Sequence, residues 1–292
     1  MPPHGVLNLN KPPGVTSRRV VDRVQRLARP AKAGHAGTLD PLASGVLVVC
    51  VGAATRLIEY VQRMPKRYTA SFLLGRESPT DDVEGEVAEL PDPPVPGEEQ
   101  LRSAAERFVG RIEQRPPAYS AVKVRGRRAY DLARRGEQVQ LEARPVTVHR
   151  IDVVDYTYPR LTLDVLCGSG TYIRSLGRDL AESLGTKAVM SALERTAIGE
   201  FHIDKAVDPE QLAPESWLEH LLPPLAAVGT LAQVGLSDEQ VKAVRHGRPI
   251  TLPAELRGEA ELAAVDGGGQ LVAILTRRGR AEFRPSRVLA PD

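Results

Sequence analysis

The densest group of residues able to do chemistry is Gly34-His35-Ala36-Gly37-Thr38-Leu39-Asp40-Pro41-Leu42-Ala43-Ser44-Gly45. Gly34, Gly37 and Gly45 let the backbone approach a ligand or another strand closely. Asp40 is the one carboxylate in the run, and Pro41 restricts it to an extended or turn conformation. A carboxylate presented this way can attack an electrophilic carbon or accept a proton. Asp-Pro is also a common turn starter, so the segment alone reads equally well as a structural turn. His35 and Asp40 fit no metal-ligand spacing and form no triad by themselves. Cys50 and Cys167 stand alone in apolar runs and read as small core residues of a reducing compartment. With neither C-x-x-C nor H-x-x-x-H spacing, no metal site is expected.

Several elements must hold these residues. Val6 to Asn10 alternates as a strand, and Lys11-Pro12-Pro13-Gly14 breaks it. Thr16 or Ser17 can cap a helix whose Val20, Val21, Val24 and Leu27 share a face. The glycine-rich loop follows, then a buried strand from Val46 to Val51 and a short amphipathic helix from Thr55. Tyr68, Ala70, Phe72 and Leu74 point one way along the next strand. The stretch from about 76 to 100 holds five prolines and reads as an acidic loop or insertion rather than a packed element. Leu101 to Val109 is helical, and Arg115 to Tyr119 is extended by its prolines. Val146 to Tyr158 and Leu161 to Cys167 are strands. Thr171 to Leu184 is a helix closed by Gly185.

Beyond Pro223-Pro224 the character changes. A short helix, Leu236 to Val244, ends at Gly247, and short strands follow around Leu262, Leu271 to Leu275 and Phe283. Strands and helices mix without a βαβ rhythm, which predicts an α+β fold. The expected division is a domain of residues 1–225 and a small β module of residues 226–292.

The chain has 292 residues with 39 basic and 37 acidic side chains, enough for about two domains. Its 42% hydrophobic content excludes global disorder. The net charge of +2 hides opposed blocks. Residues 1–50 carry 7 basic and 2 acidic side chains, residues 101–150 carry 12 and 5, and residues 76–100 carry 1 and 9. Thirty-two of the 39 cations are arginine, which favours planar phosphate contacts, although charge alone reads as well as a solvated face. No leader peptide is read at the N-terminus. The longest apolar run, Gly45 to Ala54, is too short for a bilayer span, so a cytoplasmic protein is expected.

Gly37-Thr38-Leu39-Asp40-Pro41-Leu42-Ala43-Ser44-Gly45-Val46-Leu47 resembles the catalytic motif of the TruB family, the tRNA pseudouridine-55 synthases. Other segments resemble further family motifs in family order. These are Val6 to Ser17, Lys66-Arg67-Tyr68, Gln114 to Leu132, and Gly168 to Leu176. Leu193, Arg195, Gly199 and Phe201 match the segment that closes the catalytic core, so the resemblance spans about residues 5 to 205.

The resemblance implies a mixed, mainly antiparallel sheet of the pseudouridine-synthase type. It also implies a reaction: isomerisation of the uridine at position 55 of the tRNA T-arm loop, with no cofactor. By that resemblance Asp40 is the catalytic carboxylate, acting at C1′ or at C2′ of the ribose, and Arg174 is the cation that keeps it ionised. Tyr68 stacks on the flipped base, with its hydroxyl available for the C5 proton. Tyr172 and Leu193 line the uracil pocket, His35 fills the space the base leaves, and Lys11 supports the catalytic loop. Arg125, Arg127 and Arg128, with Arg134 and Arg135, would face tRNA phosphates. Residues from Gly247 to Pro285 resemble a PUA-type RNA-binding pseudo-barrel. The expected protein is a monomer acting on tRNA with no membrane and no obligate protein partner. The absence of basic tails argues against the guide-RNA relatives of the family. A tRNA-folding chaperone without essential catalysis is the competing reading. One departure stands out: Pro79 occupies a position where the family often has a carboxylate, which questions the charge role of that loop.

Overall fold

The computed structural model describes residues 3–119, 123–124, 127–128, 141–253, 256, 258–279 and 281–289. Thirteen strands precede the C-terminal region. They are β1 (Gly5–Lys11), β2 (Ala33–His35), β3 (Ser44–Val51), β4 (Lys66–Leu74), β5 (Arg76–Glu77), β6 (Ala88–Glu89), β7 (Gly110–Gln114), β8 (Lys123–Val124), β9 (Arg127–Arg128), β10 (Arg144–Thr157), β11 (Arg160–Cys167), β12 (Ala188–Ile198) and β13 (Phe201–His202). Helices α1 (Ser17–Ala28), α2 (Ile58–Arg63), α3 (Glu98–Glu106) and α4 (Ile173–Glu182) lie among them. The main sheet runs β1-β3-β12-β4-β11-β10-β7, with β2 against β3 and β13 against β12. Its pairs are antiparallel except β3 with β12. The fold is therefore α+β, built on a mixed and mainly antiparallel sheet.

Both faces of β3 are covered, which explains its unbroken apolar run. Leu47, Val49 and Val51 pack with Val20, Val21 and Val24 of α1. Val46, Val48 and Cys50 pack with Ala54, Leu57 and Tyr60 on the other side. Thr16 caps α1, its hydroxyl accepting from the Arg19 amide at 3.2 Å. Strand β4 alternates as expected: Tyr68, Ala70, Phe72 and Leu74 are buried against α4 and α3 through Ile173, Leu176, Leu180 and Leu101. Helix α4 sits unusually close to β4. A Cβ on Gly177 would lie 2.0 Å from the Phe72 ring.

The C-terminal sheet comprises β14 (Gln233–Gly235), β15 (Ile250–Thr251), β16 (Glu261–Val265), β17 (Leu271–Arg277) and β18 (Glu282–Val288), in the order β14-β16-β17-β18-β15, with helix α5 (Asp238–Arg245) against it. Ala263, Leu271, Ile274 and Leu289 join the cluster that holds Val46, Val48 and Tyr60. Polar contacts reinforce this junction at α2. Glu261 accepts from the Tyr60 hydroxyl at 2.9 Å and pairs with Arg63 at 2.7 Å, while Glu59 pairs with Arg287 at 3.0 Å.

Three expectations need correction. The acidic stretch is not merely a loop: it holds β5 and β6, its last residues begin α3, and Asp82 is buried where it bridges to Met190. The glycine-rich segment begins as a strand, since β2 pairs with the end of β3. Strand β12, absent from the sequence reading as an element, lies between β3 and β4 in the main sheet.

Candidate active site

Asp40 lies in the connection from β2 to β3, and its neighbours are tied down from several directions. Ser17 Oγ donates to the Leu39 carbonyl at 3.0 Å and accepts from the Leu39 amide at 2.9 Å. The Gly14 amide donates to the Pro41 carbonyl at 2.8 Å, and the Ala43 amide to the Asp40 carbonyl at 3.1 Å. Arg195 Nη2 donates to the Gly37 carbonyl at 3.0 Å and its Nε to the Val46 carbonyl at 2.8 Å. Gly45 is obligatory at the end of the loop. Its φ is +100°, and a Cβ there would meet the Arg195 carbonyl oxygen at 2.3 Å.

Lys11 is fully buried beneath this loop. Its Nζ donates to the carbonyls of Val15 at 2.6 Å, Pro12 at 2.9 Å and Pro41 at 3.5 Å. Burial pulls its pKa down to about 8, with the Asp40 charge acting in the opposite sense. Lys11 is thus an anchor of the loop carbonyls.

Arg174, in the first turn of α4, meets Asp40 directly: Nη2 is 3.0 Å from Oδ2. Its other end reaches Asp82, with Nη1 3.1 Å from Oδ2. It also donates to the carbonyls of Thr80 at 2.8 Å and Tyr119 at 3.0 Å. The exposures of the three side chains differ sharply: 7% for Arg174 and 4% for Asp82, but 39% for Asp40. One carboxylate of the triad therefore faces solvent while the other two groups are sealed behind it. Asp82 is itself fixed, accepting from Thr80 Oγ1 at 2.6 Å and from the Glu84 amide at 3.1 Å. Beside it Asp81 pairs with Arg178 at 2.8 Å. Pro79 thus leaves the loop with its charge role intact, carried by Asp81 and Asp82.

Tyr68 reaches the same place from β4, packed in one cluster with Leu39, Ala43, Ile173 and Leu193. Burial pushes its phenol up; Arg195, which hydrogen-bonds the phenol, opposes this, and Cys167 and Asp40 add to the rise. His35 stands half-buried at the end of β2. Burial lowers its pKa, and the charges of Arg195 and Arg18 add to the effect. Its Nδ1 accepts from the Gly37 amide at 3.3 Å, which leaves Nε2–H as the free donor. Tyr172 caps α4 and is locked by Gln114, whose Oε1 accepts from its amide at 2.7 Å and whose Nε2 donates to its carbonyl at 3.0 Å. The Arg144 guanidinium lies 5.0 Å from the Tyr172 ring centre.

The structure therefore gathers Asp40, Arg174, Tyr68 and Leu193 into one site. Lys11 lies beneath its loop, and His35 and Tyr172 lie on its flanks. Arg125, Arg134 and Arg135 lie outside the described residues. Arg127 and Arg128 form β9, paired with β8. Among the described residues no group of three or more His, Cys, Asp or Glu side chains could hold a metal ion. Sequence reasoning missed Asp82, Gln114 and Arg195 as site residues. Asp82 was hidden in an acidic run that looked solvated. Gln114 and Arg195 carried a signal only as members of matched segments.

The family model described as TruB family pseudouridylate synthase (N terminal domain) matches residues 25–173. The chain belongs to the TruB family. A tRNA pseudouridine synthase B from an Arthrobacter strain is 43% identical over 301 residues, covering 99% of this chain and 97% of that relative. One from Moorella thermoacetica is 40% identical over 302 residues, covering 98% and 99%. Among solved structures, a Cbf5-Nop10-Gar1 complex contains a chain with a TM-score of 0.77 at 28% identity, covering 98% of this chain and 85% of that one. The TruB family fold thus extends through the C-terminal sheet. Among the described residues no helix is long and apolar enough to cross a membrane.

Proposed function

We propose that this protein isomerises uridine to pseudouridine in tRNA, at position 55 of the T-arm loop, with Asp40 as the catalytic carboxylate. The observation that carries the reading is the Asp82–Arg174–Asp40 chain, which ends in one solvent-facing carboxylate. A folding chaperone has no use for a buried cation that holds a single carboxylate in place.

Reaching the ribose requires the nucleotide to leave its stack, at about a few kcal/mol. The Tyr68 ring offers the uracil a stacking surface, worth about 1–3 kcal/mol. His35 supplies a hydrogen-bond donor and a flat ring for the vacated space, in its neutral form. Asp40 acts on the sugar, by attack at C1′ or by removing the C2′ proton. Both routes use the ionised carboxylate that Arg174 orients. The detached uracil turns between Tyr68 and Leu193 and rejoins the ribose through C5. No atom is gained or lost overall, so no cofactor is required.

The C-terminal sheet, residues 226–292, reads as a PUA-like RNA-binding module, and residues 1–225 as the catalytic domain. Arg125, Arg127 and Arg128 serve the tRNA backbone. The protein works as a monomer in the cytoplasm without an obligate partner. Incubation of pure protein with a T-arm hairpin transcript, followed by pseudouridine-specific detection, tests the reading. The wild type modifies the hairpin. Asp40→Asn binds it and leaves it unmodified. An active Asp40→Asn protein, or a wild type inert on both hairpin and whole tRNA, would refute the assignment.

A further inference from the structure

Arg195 is the largest of the almost completely buried side chains. Its two hydrogen bonds to the backbone go to neutral carbonyls, those of Gly37 and Val46. Among the described residues it forms no ion pair, and the site's carboxylates Asp40 and Asp82 are held by Arg174. A buried guanidinium without a carboxylate is costly to keep. Bracing two carbonyls needs only neutral donors, so the bracing role leaves the charge itself unexplained. That charge is felt across the site: it acts on Lys11 from β1, His35 from β2, Lys66 from β4 and Cys167 from β11. The group that it hydrogen-bonds and that can become an anion during the reaction is the Tyr68 phenol. The other charges felt at that phenol are those of Asp40 and Cys167.

We propose that Arg195 is a positioning residue that stabilises the Tyr68 phenolate while the proton is removed from C5 of the rejoined uracil. The inference rests on the pseudouridine-synthase reading. After the C5–C1′ bond forms, C5 carries both the ribose and its original hydrogen. The Tyr68 phenolate takes that hydrogen as a proton. The C5–H electron pair becomes the C5–C6 double bond, the former N1–C6 π pair moves to N1, and N1 takes a proton. The proton lost at C5 balances the one gained at N1. Arg195 favours the phenolate because it donates to the oxygen that carries the charge, in a site where water is scarce.

The test uses a T-arm hairpin with hydrogen or deuterium at C5 of the target uridine, in single turnovers across pH. The wild type, Arg195→Gln, Arg195→Lys and Tyr68→Phe are compared. Arg195→Gln keeps a donor without the charge. Its rate is expected to fall about 100-fold, its C5 isotope effect to exceed that of the wild type, and its rate to keep rising at pH values where the wild type has levelled off. Arg195→Lys keeps a charge in a poorer position, and should fall between the two in rate and isotope effect. A slow Arg195→Gln protein with an unchanged isotope effect and pH profile would reduce Arg195 to a brace, and a fully active one would remove it from the reaction. Should Arg195→Gln not fold, the isotope effect of Arg195→Lys decides, and a wild-type value overturns the inference. A wild type that makes no pseudouridine from either hairpin overturns the parent reading, and this one with it.

Discussion

Asp82→Asn isolates the part of the site that never touches substrate. The substitution keeps shape and keeps an oxygen for the Thr80 hydroxyl and the Glu84 amide, which lie 2.6 Å and 3.1 Å from Asp82 Oδ1. It removes the charge that faces Arg174 at 3.1 Å. Breaking a buried ion pair costs about 3–5 kcal/mol. Arg174 keeps Asp40 at 3.0 Å and two carbonyls, so the lower end of that range applies: about 3 kcal/mol of stability. The catalytic effect follows from geometry. With one anchor gone, Arg174 swings toward Asp40 and drags its carboxylate, and a displacement of about 1 Å can cost about 100-fold in rate. Thermal unfolding and single-turnover pseudouridine formation are measured on the same samples. The expected pattern is a lower melting temperature, a kcat down about 100-fold and little change in KM for RNA. Asp81→Asn is the control, because Asp81 pairs with Arg178 and not with Arg174; it should lose some stability at near-normal rate. Equal rates for Asp82→Asn and wild type, or equal losses for the two variants, would refute the idea that the triad positions Asp40.

Gly177→Ala places a methyl 2.0 Å from the Phe72 ring, and overpacking of this kind costs about 1–3 kcal/mol. Because α4 carries Arg174, activity should fall too, and Phe72→Leu in the same chain should restore part of both in a double-mutant cycle. Gly45→Ala meets backbone atoms of Arg195 and a φ of +100°, neither of which can yield. A loss of about 3 kcal/mol or more in urea unfolding is expected, from strain and overpacking together. Lys66 is buried, donates to the Gln62 and Met64 carbonyls, and has its pKa pulled down from 10.5 to about 8, chiefly by burial. Between those two pH values the unfolded chain holds a proton that the folded chain has released, so stability rises with pH. Relative to Lys66→Met, the wild type should therefore gain up to about 3 kcal/mol between pH 8 and 10.5. A flat difference in melting temperature would contradict this.

The legible parts of the fold had one dominant signal each. Strand β4 alternates, β3 is apolar throughout, and α4 places Ile173, Leu176 and Leu180 on one face. Each pattern mapped onto burial as the period requires. Strand β12 did not, because register shifts between Met190 and Ala192 and between Arg195 and Ala197 break its alternation. A buried arginine in its middle adds a false polar signal. The acidic loop failed for a related reason. Its composition describes its surface residues, while Asp82 is buried and answers to Arg174, a cation 92 residues further along the chain. Charge counts carry no information about such a pairing. Asp40, Arg174 and Tyr68 were named through motif resemblance, and the structure supplied the order in which they touch.

The junction at α2 has a consequence for how the two sheets depend on each other. Ala263, Leu271, Ile274 and Leu289 seal one side of the layer formed by Val46, Val48 and Tyr60, and Glu261 and Arg287 clasp the same helix that leads into β4. A chain cut before β14 would open an oily surface directly behind the strand that follows the Asp40 loop. The second sheet is thus less an appendage than a back wall, and shortening the protein should produce aggregation before it produces a smaller enzyme.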